Sequence, residues 1–85
     1  MLIHEFSQPL VTSDGIFRVQ VLGKQQGDMW SGWIAFRPER GGVGLWTEQE
    51  TLQPSLSALE YWATGLEPIY LEGALVRAQD LPALR

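Results

Sequence analysis

The chain has no cysteine. Disulfides, thiolate metal sites and thiol nucleophiles are excluded at once. It has one histidine and only six lysines and arginines against ten acidic residues, for a net charge of −4. Cations so few and scattered argue against nucleic acid, whose phosphates demand concentrated Lys and Arg. No apolar run approaches the roughly 20 residues that a membrane helix needs. No basic stretch followed by an apolar block marks a signal peptide. Repeats, low-complexity segments and linkers are missing as well. These absences leave a single domain over residues 1–85, expected in the cytoplasm, without membrane, nucleic acid or cofactor. A chain of this length buries roughly 60–65% of its unfolded surface, enough for one modest core.

What is present is organised around Thr51 to Ala78. Leu56, Leu59, Ala63 and Leu66 fall on one helical stripe, which Leu52 extends if the helix starts early. Trp62 sits at the stripe's edge. Ser55 is the expected N-cap, with Ser57-x-x-Glu60 as a competing capping box. Gly65 suits a left-handed C-terminal position and Pro68 blocks continuation. So short a helix needs an apolar surface to lie on, which points to a sheet. Pro68 to Ala78 then reads as a strand, with Ile69, Leu71, Gly73 and Leu75 toward the helix and Tyr70, Glu72, Ala74 and Val76 away from it. Glu72 would be costly on the dry side, which fixes that choice.

Four strands are expected before the helix. Leu2 to Phe6 is a short first strand or an ordered arm. Leu10 to Leu22 is a hairpin about Asp14-Gly15, a signal for a tight type I′ turn. Gly23 to Asp28 reads as a polar loop. In Met29 to Arg37, Trp30, Gly32, Ile34 and Phe36 form the core face and alternate with Ser31, Trp33, Ala35 and Arg37. Gly32 and Gly73 then both point at the helix. Pro38 to Gly42 is a hairpin connection rather than a phosphate cradle, because a strand follows it and not a helix. Val43 to Glu50 is the fourth strand, and the tail after Ala78 either frays or tucks a Leu against the sheet. The fold class is α+β: an antiparallel meander of four to five strands with one helix on one face, in the order β-β-β-β-α-β.

Several stretches together carry a resemblance. They are Trp30-x-Gly32-Trp33, Glu50-Thr51-x-Gln53-Pro54, Tyr61-Trp62-Ala63-x-Gly65-Leu66 and Tyr70-Leu71-Glu72-Gly73-Ala74-Leu75. The chain resembles, over nearly its whole length, a family of small uncharacterised bacterial proteins. The resemblance implies a stand-alone domain and carries no activity or site.

Function must therefore come from residues. One helix leaves one sheet face open, and that face would show Arg18, Gln20, Ser31, Trp33, Arg37, Trp46, Glu48, Tyr70 and Glu72. Cross-strand pairs of Glu72 with Arg37 or Arg18 account for the charges. Two indoles and a phenol are too much apolar surface to leave wet without cause. The chain's own termini, a second copy or another protein, or a stacked small ligand could cover them. The expected binding residues are Trp33, Trp46, Tyr70, Arg37, Glu72 and Arg18. Glu48 and Glu50, at i and i+2 on a strand, read as a solvated edge rather than an acid–base pair. His4 reads as a packing or surface histidine. A hydrolase would have to draw on these carboxylates, so no enzymatic activity is expected. The leading expectation is a protein-interaction module, homodimeric or an accessory subunit. A small-ligand site on the same face or beneath the helix is the alternative.

Overall fold

A computed structural model describes residues 1–80 and shows an α+β fold of six antiparallel strands and two helices. The frame is a long hairpin of β3 (Gly15–Gln26) and β4 (Met29–Pro38). These strands pair from Phe17↔Pro38 to Gln26↔Met29. β1 (Leu2–Glu5) and β2 (Leu10–Thr12) lie end to end along the outer edge of β3. β5 (Leu45–Trp46) and β6 (Thr51–Gln53) do the same along β4.

The stretch Gly23 to Asp28 is not a loop. β3 runs through Gln26, and only Gly27 and Asp28 turn the chain. Gly27 has φ 61°, at the first central position, where a two-residue hairpin turn of type II′ calls for glycine. The first hairpin also differs in its turn. Ser13 and Asp14 are its central residues, Thr12 pairs with Gly15, and no non-glycine residue has positive φ. That excludes type I′. Gly15, at φ 133°, instead follows the turn, and the Thr12 hydroxyl accepts from the Asp14 amide at 3.1 Å.

The expected fourth strand is broken in two. Thr47 follows β5, and its amide donates to Ile34 O while its hydroxyl accepts from Ile34 N. A side chain thus takes the place of a backbone ladder partner. Gln49 then bonds Ser31, the Glu50 amide donates to Gly32 O, and pairing resumes at Thr51. Leu52 belongs to β6 and not to the helix.

α1 (Leu56–Thr64) starts at Ser55, whose hydroxyl accepts from Ala58 N at 3.1 Å. Gly65 ends it with φ −90°, right-handed rather than left-handed. The chain then re-enters a helix. α2 (Pro68–Gln79) occupies the segment that the sequence assigned to a strand, so the molecule has two helices. Pro68 is at its first turn, where a missing N–H costs nothing. Leu71, Ala74, Leu75 and Ala78 are its buried residues, spaced i, i+3, i+4, i+7. Gly73 therefore lies on a helix and not beneath one.

Both helices cover one face of the sheet. α1 lies against β1, β4 and β6, and α2 against β2 and β5. Between helices and sheet, Phe17, Val19, Val21, Ile34 and Phe36 meet Ala63, Leu71, Ala74, Leu75 and Ala78. Leu59 makes the closest approach. A Cβ on Gly23 would come within 2.7 Å of its Cδ2, and one on Gly32 within 2.7 Å of its Cδ1. Gly23 and Gly32 are cross-strand partners, so a pair of absent side chains forms the seat for one leucine. The tail expectation for residues 81–85 lies outside the described residues.

Candidate functional site

The register of the long hairpin decides what the other face carries. Residues paired across antiparallel strands share a face. Opposite the core, the rows are Val11–Ile16, Arg18–Arg37, Glu5–Gln20–Ala35–Trp46, Leu2–Leu22–Trp33 and Lys24–Ser31–Leu52. No helix or strand among the described residues lies over them. Trp33 is half-buried at the centre, with Leu22 beside it and Trp46 and Leu52 on its diagonals. Leu2, Trp46 and Leu52 remain 52%, 41% and 43% exposed. This is one continuous apolar patch, with Arg18 and Arg37 at one end and Lys24 at the other.

Trp33, Trp46, Arg18 and Arg37 thus stand together on the face the sequence indicated. Tyr70 and Glu72 do not, because they are on α2, on the far side of the sheet. No pairing of Glu72 with Arg18 or Arg37 is formed; the one salt bridge among the described residues joins Arg77 to Glu50. The N-terminal arm does not fold over the patch either, since Leu2 to Glu5 pair at the edge as β1. Leu2, Leu22 and Leu52 belong to the patch and were missed. The parity of Leu22 with Arg18 and Gln20 on β3 would have revealed it.

Tyr70 has another role. Its hydroxyl donates to Glu50 Oε1 at 2.5 Å, and Arg77 donates to the same carboxylate through Nη2 at 2.6 Å and Nε at 3.2 Å. The Arg77 guanidinium lies 5.5 Å from the Tyr70 ring centroid, and Trp62 meets that ring edge-on at 6.2 Å. The Glu50 side chain is only 10% exposed, so three donors and a carboxylate clamp α2 to the chain entering β6. Burial, and then the hydrogen bond to Glu50, push the Tyr70 phenol up to about 12. Arg77's own hydrogen bonds to Glu50 likewise raise its guanidinium above the ordinary value. Glu48, by contrast, is exposed in a loop. The two glutamates are not a same-face pair, because the strand that would align them is interrupted.

Other features offer little chemistry. His4 packs edge-on against Phe6 at 4.7 Å. No three His, Asp or Glu side chains among the described residues are grouped to hold a metal. No described helix is long and apolar enough to cross a membrane. A cleft of about 600 Å³ lies between the turn at Asp14–Phe17 and Pro38–Arg40, and one of about 300 Å³ lies between β2 and α2. Neither is lined by a residue of α1. Compared with models of protein families, with curated proteins and with solved structures, the chain matches none.

Proposed function

We propose that this protein is a non-catalytic interaction module that docks on another polypeptide chain through its open sheet face. The observation that carries this reading is the division of labour between the faces. Both helices lie on one side, yet the other side holds two tryptophans and three leucines in continuous register. Aromatic side chains beside aliphatic ones, rimmed by arginine, have the composition of a binding surface. The carboxylate that could have served acid–base chemistry, Glu50, is already held by Tyr70 and Arg77.

The test is native mass spectrometry of the protein recovered from its host, at several concentrations, beside a Trp33→Gln/Trp46→Gln variant. A dimer mass or a retained second polypeptide for the wild type, lost in a variant with an unchanged circular dichroism spectrum, is the expected result. A bare wild-type monomer at every concentration contradicts the reading.

A further inference from the structure

Resting on that reading, we propose that the partner is an acidic polypeptide segment, which places apolar side chains against Trp33 and a carboxylate between Arg18 and Arg37. The starting observation is a like-charge pair. Arg18 and Arg37 are direct cross-strand partners on the open face. At such positions the Cβ atoms lie about 5 Å apart, and equal charges repel. No described carboxylate neutralises them: Arg37 makes no ion pair with a described residue, and Arg18 donates only to the Phe6 carbonyl at 3.3 Å. The one acidic strand residue of the face, Glu5, is bonded by Gln20 instead.

The pair stands out against the rest of the chain. Net charge is −4, yet the strand residues of the open face carry three cations, Arg18, Lys24 and Arg37, against Glu5 alone. The helical layer has the opposite sign, with Glu60, Glu67 and Glu72 exposed and Arg77 engaged by Glu50. A locally positive apolar face on an acidic protein repels its own copies in a face-to-face dimer, since a two-fold axis sets one positive face on another. It favours a partner that brings negative charge. Arginine is suited to that partner, because its planar fork binds a carboxylate through two parallel N–H donors and Arg18 has donors left after its bond to Phe6. The aliphatic surround of Leu2, Leu22 and Leu52 favours peptide side chains over stacked bases, which need aromatic platforms alone.

The experiment is selection of random twelve-residue peptides displayed on phage against the intact protein. Titration of the best synthetic peptides by tryptophan fluorescence follows, with an oligothymidylate as a second probe. The expected peptides carry Asp or Glu next to aliphatic or aromatic residues. They bind Arg37→Gln, which leaves the Arg18 bond to Phe6 intact, at least tenfold more weakly than wild type, and weaken further as salt is raised. Neutral or basic peptides, unchanged affinity in both Arg37→Gln and Arg18→Gln/Arg37→Gln, or tighter binding of oligothymidylate each overturns the inference. Loss of neutral-peptide binding in Trp33→Gln/Trp46→Gln would then show that the docking face stands while its acidic partner falls. Failure to select any peptide also overturns it, leaving the docking face to be judged by native mass.

Discussion

The two faces of the sheet are made of the same strands and differ in how their side chains are used. On the covered face, Val19, Val21, Ile34, Phe36 and Leu59 are at most 1% exposed, and Leu59 fits over a glycine pair with no space for a methyl group. On the open face, the apolar residues are half-buried or exposed, and arginine faces arginine. Close packing makes the first face intolerant of any change in volume. The second has no helix packed on it among the described residues, and the proposed docking rests on that contrast. In the proposed reading, stability and docking are separated by the thickness of one sheet.

Substitutions on the two faces should accordingly behave in opposite ways. The largest stability loss is expected for Leu59→Ala, about 2–5 kcal/mol in urea denaturation, because the seat is fully enclosed and cannot collapse. Gly32→Ala should cost about 1–3 kcal/mol by overpacking, since the new methyl also approaches Thr51 Cγ2 at 3.1 Å. Combined with Leu59→Ala its cost should shrink, because the truncated leucine vacates the space. Additive losses in that double-mutant cycle would show that the two residues do not share a seat.

The clamp between α2 and the chain entering β6 should respond less. Glu50→Gln is expected to lose about 1–2 kcal/mol, because Arg77 is half exposed and water replaces much of what it gives up. The Tyr70 phenol offers an independent readout. Its pKa near 12 lies above the ordinary 10.0. Its contribution is therefore fully present below about pH 10 and is lost as pH rises through 12. In a Tyr61→Phe background only Tyr70 remains to titrate near 295 nm. Glu50→Gln should move that titration down toward the ordinary value, with burial holding part of the rise. An unmoved titration would detach Tyr70 from Glu50.

Much of this arrangement is visible in the residues before any coordinates. The stripe of Leu56, Leu59, Ala63 and Leu66 and the cap at Ser55 agree with each other, so α1 was legible. Strict alternation in Met29 to Arg37 separates Ile34 and Phe36 from Trp33 and Arg37, so the open face was legible on β4. The segment after Pro68 was misread because both periods fit it. Tyr70 and Val76 favour a strand by propensity, and a central Gly73 weakens a helix without favouring the strand. Leu71, Ala74, Leu75 and Ala78 obey the helical period, and Pro68 marks a helix start as well as a stop. The outer end of β3 was misread because Lys24, Gln25 and Gln26 are exposed and project beyond the core, where no alternation is imposed. Leu2 and Leu52 reach the patch through pairings with Leu22 and Ser31 that are distant in sequence, and local pattern carries no record of such pairings.

The smallest stability effect is the most informative one. Trp33→Gln/Trp46→Gln, unfolded in urea beside the wild type, should remain cooperative with an unchanged denaturant slope and lose less per residue than Leu59→Ala. That result would place both indoles outside the folding core and leave docking as their role. A variant that is already unfolded, or that melts without a cooperative transition, would make the open face part of the core and contradict the separation of stability from docking.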